Sequence, residues 1–178
     1  IIIGDKFDTN YWTMSQSAGL PGSRFTEQSR QDIGDGKHLM AATYTYWIST
    51  ALLSALYLSS AFLYLTKKGF VQKAQADLGY QAPHLIPLMI VVKILGPAAI
   101  LTRVSVPLSD LAYAGMFYHL ILSGMAHLGV RSFKGAAPAV IGLALLAASF
   151  ATQNDARQAP SSYALAAAAH PAILKEHQ

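Results

Sequence analysis

A single lysine interrupts an otherwise uncharged apolar run near the middle of the sequence. Lys93 lies between Leu85 and Thr102, and no other charged residue occurs in that stretch. A lysine at the centre of a membrane-spanning helix costs about 2.5–3.5 kcal/mol, so an ionisable residue at this depth is a functional candidate by default. Four residues later, Pro97 lacks the N–H that would otherwise bond the Lys93 carbonyl. A cation and a freed carbonyl oxygen therefore fall together, which suits an anionic or carbonyl-bearing ligand such as a quinone head group.

The same segment also allows a structural interpretation. Gly96 lets a neighbouring helix approach closely, and a lysine there can be paired inside a helix bundle or reach an interface. Asp110 is the one acidic residue within the apolar runs. Because Lys93 lies about 15 Å of helix before the turn that precedes Asp110, an ion pair needs long reach or a kink. A position near a helix N-terminus, where an acid is favourable, is the alternative for Asp110.

Two histidines in the third run are the other ionisable candidates. His119 and His127 are separated by about 12 Å along one helix, so they cannot share a metal ion. A bis-histidine haem would need a histidine from another run, and we therefore predict no haem and no metal site. For His119 an interhelical hydrogen bond is the structural alternative, and for Tyr113 simple packing. The predicted site for a quinone or lipid head group comprises Lys93, Gly96, Pro97, Tyr113 and His119.

No catalytic residue is predicted. The sequence has no Gly-rich phosphate loop, catalytic triad, carboxylate pair or metal-ligand spacing. It also has no cysteine, which excludes disulfides and thiol catalysis. The net charge is +4, but the cations are dispersed without a basic block, so we expect no nucleic-acid partner.

Long apolar runs must position these residues. Of 178 residues 53% are hydrophobic and 12% charged, against about 25% charged in a typical soluble domain. A helix that spans a membrane needs about 20 apolar residues. The composition thus predicts an all-α, polytopic membrane four-helix bundle over residues 44–152, in a bacterial inner membrane or an organellar membrane. The predicted spans are 44–66, 85–102, 107–128 and 136–152.

Shorter features complete the predicted organisation. A small-residue ridge formed by Ala51, Ala55 and Ser59 would allow another helix to pack closely on the first span. The sequence "GFVQKAQADLGY" predicts a short interfacial helix that Gly79 closes. The cations do not decide the orientation in the membrane, because the N-terminal side would carry four and the opposite side five. These are Arg30, Lys37, Arg103 and Arg157 against Lys67, Lys68, Lys73, Arg131 and Lys134.

Polar segments flank the bundle at both ends. Residues 1–43 are predicted to form an extended N-terminal arm and residues 153–178 a C-terminal tail. The arm is richer in aromatic residues than a solvated tail usually is, so contact with other membrane subunits and a floppy tail are both open. Its contact residues would be Phe7, Tyr11, Trp12 and Phe25.

Several short elements, in order, resemble one membrane-protein family. "DLGYQAPHLIPLMIVVKILGPAAIL" followed by "LSDLAYAGMFYHLILSGMAHLG" is similar to DoxX-like proteins over about residues 44–130. The matching elements are 78–80, 93–96 and 112–115, and then His127. The resemblance implies a four-helix membrane bundle, and some relatives are tied to quinone-linked sulfur oxidation or to thiol redox maturation. Relatives often carry an acid where His119 stands, which puts the inherited chemistry in doubt.

Three functions follow from these observations. The first is a non-catalytic accessory subunit of a larger, energy-converting membrane complex, which would not be an enzyme on its own. The second is the membrane subunit of a quinone-linked oxidoreductase, with Lys93 and His119 near the quinone head group. The third is a small transporter or a proton path through Lys93, Asp110 and His119.

Overall fold

The computed structural model describes residues 21–80 and 84–165, with the side chains of 21–28 and 30–32 left aside. The chain forms two compact units, Ile1–His38 and Leu39–Gln178, and the second holds the helices that concern function. Five α-helices and no strand occur in the described part of the chain. They are α1 (Pro21–Thr66), α2 (Lys68–Asp77), α3 (Leu85–Thr102), α4 (Val106–Gly129) and α5 (Phe133–Ala156).

Three helical segments among the described residues are long and apolar enough to cross a membrane. They are Ile33–Thr66 in α1, all of α3 and all of α5. This confirms an all-α membrane protein. Helix α4 has 24 residues, which is long enough, but it carries Asp110 and two histidines and is not among the three. The prediction that α4 is a fourth span stays a prediction.

The predicted N-terminal arm is not extended over residues 21–43, because helix α1 begins well before the apolar run that predicted it. The run starts at Tyr44, whereas the helix starts at Pro21 and ends at Thr66 as expected. Hydropathy marks the part of a helix that lipid can surround, but backbone hydrogen bonds continue equally well into polar sequence. Of the arm's aromatic residues, Phe25 lies in α1 with its side chain outside the described part. Residues 1–20, with Phe7, Tyr11 and Trp12, and residues 166–178 lie outside the described residues.

The predicted short helix is present as α2. Val71 is its buried residue. The Gly79 N–H donates to the Ala76 carbonyl and the Tyr80 N–H donates to the Gln75 carbonyl. Gly79 has a φ of +86°, a conformation that glycine adopts without steric cost. This pair of bonds is a Schellman motif, so Gly79 ends α2 for the reason that the sequence predicted.

A tight turn joins α3 to α4. Arg103 ends α3 in the left-handed conformation, with a φ of 46°. Ser105 is the N-cap of α4, and its hydroxyl accepts a hydrogen bond of 3.2 Å from the Leu108 N–H. Pro107 in the first turn of α4 fits a position where an N–H would lack a helical partner. The turn therefore makes α3 and α4 an antiparallel pair, which brings the middle of one against the middle of the other.

Helix α4 packs against both α3 and α5. Leu53 of α1, Ile100 of α3, Met116 of α4 and Leu146 of α5 meet in one buried core cluster. Glycine permits the closest contacts: a Cβ atom on Gly142 would lie 2.7 Å from a methyl group of Leu120.

The small-residue ridge of α1 does not face this core. Ala51, Ala55 and Ser59 are all exposed on the surface of the second unit. The buried face of α1 instead carries larger residues, among them Tyr46, Leu53 and Tyr57. The ridge therefore lies on the outer surface of the described bundle.

Candidate functional site

The structure brings Lys93 and His119 together. Lys93 on α3 is only 7% exposed. Its Nζ lies 3.2 Å from Nε2 of His119 on α4, which is hydrogen-bonding distance. A lysine ammonium has only donors, so it donates and the neutral imidazole nitrogen accepts. The two mid-helix ionisable candidates of the sequence are thus partners of each other.

Two tyrosine rings of α1 complete the surroundings of Lys93. Its Nζ lies 5.4 Å from the ring centroid of Tyr57 and 5.2 Å from that of Tyr64. Both distances are within the roughly 6 Å over which a ring face attracts a cation. The Tyr57 hydroxyl donates to the Met116 carbonyl at 3.2 Å, which fixes its ring. We call Lys93, His119, Tyr57 and Tyr64 the lysine cluster.

The two tyrosines were missed in the sequence, although a signal was present. They stand seven residues apart, which places them on one face of a helix. Tyr46 lies on that buried face as well. Tyrosines near the end of the first run are also typical of interfacial anchors. Which of them contact Lys93 depends on how α1 is rotated about its axis relative to α3.

The other predicted site residues do not all join the lysine cluster. Gly96 and Pro97 are buried on the same helix, and Gly96 lies against Met116, which a Cβ atom would approach to 3.1 Å. Tyr113 is elsewhere: its hydroxyl lies 2.7 Å from Oγ of Ser149. The Ser149 hydroxyl is also 2.6 Å from Oγ1 of Thr50. These three residues form a separate group, which we call the hydroxyl cluster.

An apolar layer separates the two clusters. Tyr113 precedes His119 by six residues, or about 9 Å along α4. Met116 lies between them on α4, and Leu53 lies between Thr50 and Tyr57 on α1. Both side chains are buried, at 1% and 0% exposure. No hydrogen bond between described residues joins the lysine cluster to the hydroxyl cluster.

Asp110 neither pairs with Lys93 nor caps α4. Helix α4 starts at Val106, its cap is Ser105, and no acid stands in its first turn. Asp110 Oδ2 instead accepts a hydrogen bond of 2.9 Å from Ser161, in the segment after α5. Asp110 is the fifth residue of α4, near its N-terminus but beyond the first turn, so it does not act as a helix cap. Asp110 thus ties the C-terminal segment to the bundle.

Arg157 closes the same end of the bundle. Its Nε donates to the Tyr46 hydroxyl at 2.8 Å, and one terminal nitrogen donates to the carbonyls of Ile100 and Leu101 at 3.2 and 3.1 Å. The guanidinium also lies 4.6 Å from the Trp47 ring centroid. Arg157 therefore joins α5 to α1 and to the free carbonyls at the end of α3.

The arrangement has the chemistry of a binding site for a polar group. The lysine cluster offers an ammonium, an imidazole and two phenols, a set that can donate to a carbonyl or anionic oxygen. Among the described residues no group of three or more His, Cys, Asp and Glu side chains could hold a metal ion. A groove of about 910 Å³ lies elsewhere, between α4 and α5, and is bordered by Asp110, Tyr113, Phe117 and Tyr163.

Long apolar helices around an interior of paired polar side chains define this chain as a helical integral membrane protein. The family can be stated as well. The sequence profile of the DoxX-like family matches residues 48–149, which is more than half of the chain, so the protein belongs to the DoxX-like family. No curated protein and no solved structure gives a significant match to it.

Proposed function

We propose that the protein is a non-catalytic accessory subunit of a larger, energy-converting membrane complex. The observation that carries this proposal is the continuation of α1 beyond its apolar run. The described segment Ile33–Thr66 comprises 34 residues, but its apolar run begins only at Tyr44, and about 20 residues cross the hydrocarbon core. The part of α1 that precedes this run therefore lies outside the hydrocarbon.

The residues of α1 that lie outside the hydrocarbon are at the N-terminal side of the span. Tyr46 and Trp47, with Arg157 against them, have the composition of a membrane interface. Met40 precedes Trp47 by seven residues, or about 10 Å of helix, and so lies on the aqueous side of this level. Met40 is 66% exposed and Leu39 is 36% exposed. Apolar side chains in that position are covered most readily by another protein.

Two further features support a place in an assembly. The ridge of Ala51, Ala55 and Ser59 is exposed on α1 and would admit a second helix at close range. In addition, the buried polar side chains bond one another across helices, as Lys93 does with His119 and Ser149 with Thr50. Such bonds stabilise a bundle, which is what a scaffold subunit requires.

Isolation of the native protein in mild detergent tests the proposal. We expect it to migrate with other subunits at a mass far above 19.1 kDa, and a stable, solitary monomer would overturn the proposal. Met40→Glu should release partner subunits without a change in the thermal unfolding of the isolated chain. Lys37→Glu is the matched control, because Lys37 is exposed on the same helix but already polar, and it should leave the assembly intact.

The lysine cluster supports a second candidate, a binding site for a quinone or lipid head group. Lys93 has three N–H donors, and its one hydrogen-bond partner among the described residues is His119. Lys93→Met should then abolish quinone retention by the purified protein, while a variant in the hydroxyl cluster such as Thr50→Val should retain it. Equal retention in both variants would remove this candidate. A proton path has less support, because no hydrogen bond between described residues joins the lysine cluster to the hydroxyl cluster.

A further inference from the structure

The two ends of the second unit differ in charge. The hydrogen bonds of Ser149 with Thr50 and of Arg157 with Tyr46 place the end of α5 beside the N-terminal part of α1. The start of α5 and the end of α1 therefore lie together at the opposite end. We call this opposite end the basic end, because it carries five cations and, among the described residues, one acid, Asp77. The cations are Lys67, Lys68, Lys73, Arg131 and Lys134.

The cations at the other end are held by the protein itself. Arg157 is bound by two backbone carbonyls and two aromatic rings. Arg103 donates to the Ala159 carbonyl at 2.7 Å. Asp110 and Asp155 balance these two charges in the described part of that end. All five cations of the basic end are, by contrast, exposed.

The basic end lies at the level of lipid head groups. Lys67 and Lys68 directly follow the apolar span of α1, and Lys134 is the second residue of α5. Exposed aromatic side chains accompany them, with Phe70 at 66% and Phe133 at 73%. Helix α2 is fixed there because its Val71 is 3% exposed and packs inward. Interleaved cations and exposed aromatic residues at the end of a span are typical of contact with the head-group region.

We infer that the basic end binds the head groups of anionic phospholipids. Five exposed cations against one acid give this surface a positive potential that a phosphate-bearing, net-negative head group complements. The N-terminus of α5 adds to that potential, since the Ser132 side chain makes no capping hydrogen bond there. The flanking aromatic and aliphatic side chains contact the upper parts of the acyl chains of the same lipids.

The test is a titration of the isolated full chain in detergent micelles with phosphatidylglycerol or phosphatidylcholine. We expect tighter binding of phosphatidylglycerol, weakened by 0.5 M salt. Replacement of Lys67, Lys68 and Lys73 by Gln should weaken phosphatidylglycerol binding by about 100-fold, since each lysine near an anionic surface contributes about fivefold. The corresponding Arg variant should bind as the unmodified protein does. Phosphatidylcholine binding should be the same in all three proteins.

Several results would overturn this inference. Equal affinity for the two lipids would show that charge is not recognised. A Gln variant that binds phosphatidylglycerol normally would show that these lysines do not contact it. If the Gln variant loses partner subunits in native membranes but keeps its lipids, the basic end binds an acidic protein instead. All three substituted side chains are exposed, so folding is preserved. The titration contains no partner subunits, so its outcome does not depend on whether the proposed function is correct.

Discussion

The pairing of Lys93 with His119 is the feature on which the interior of the bundle depends at the residue scale. A buried ammonium keeps its favourable surroundings only if each neighbour remains in place. His119→Leu removes the hydrogen-bond acceptor and leaves Lys93 with two aromatic rings. We expect this change to destabilise the folded bundle by about 1–3 kcal/mol.

The double variant Lys93→Met/His119→Leu should recover most of that loss, since replacement of both polar partners by apolar groups of similar shape is nearly neutral. Unfolding of the two single variants and the double variant in detergent measures the coupling between the residues. Strictly additive effects would show that the 3.2 Å contact has no energetic consequence.

A second prediction at the residue scale concerns the hydroxyl cluster. Ser149 is fully buried and contacts both Thr50 and Tyr113. Ser149→Ala leaves two buried hydroxyls with fewer partners, and we expect a loss of about 1–3 kcal/mol in the free energy of unfolding. Ser59→Ala is the control, because Ser59 is exposed and bonds only the carbonyl of Leu56 in its own helix. Thermal unfolding that is equal in the two variants would contradict the importance of the cluster.

At the element scale, close helix contacts depend on particular glycines. A Cβ atom at Gly142 would come within 2.7 Å of a methyl group of the buried Leu120, so Gly142→Ala forces this side chain or α4 to move. Overpacking of this kind typically costs about 1–3 kcal/mol. Gly115 on α4 has nothing within 4 Å of the corresponding position. Gly115→Ala should therefore be neutral or stabilise α4 by up to about 1 kcal/mol. Chemical unfolding in detergent should show a loss of stability for Gly142→Ala and none for Gly115→Ala.

The elements themselves followed closely from the sequence. The predicted span 85–102 coincides with α3, because the apolar run that predicted it is broken only by Lys93 and ends before Arg103. Gly79 ended α2 as expected. What the sequence did not reveal was rotation: whether Tyr57 or Tyr113 meets Lys93 depends on how α1 and α4 turn about their axes. The bond between Asp110 and Ser161 joins residues 51 positions apart, and no local pattern indicates such a contact.

At the scale of the whole molecule, the crossing of α4 decides the topology. The chain has no cysteine, so single cysteines can be introduced without a background signal. Suitable exposed positions are Gln72 after α1, Val104 between α3 and α4, and Ser162 after α5. If α4 crosses the membrane, an impermeant maleimide should label Val104→Cys and Ser162→Cys from one side and Gln72→Cys from the other. Labelling of Ser162→Cys together with Gln72→Cys would mean that α4 does not cross.

The proposal that the protein works within a larger assembly is tested most directly by site-specific photo-crosslinking in native membranes. A photoreactive residue at position 40 replaces the exposed Met40, and one at position 58 replaces Leu58, which is 43% exposed and about 27 Å further along α1. Mass spectrometry then identifies the crosslinked products. The proposal predicts adducts with another protein at position 40, and lipid or protein adducts at position 58, which lies beside Ala55 and Ser59. The proposal would be contradicted if position 40 gave no protein adduct while crosslinking at position 58 remained efficient.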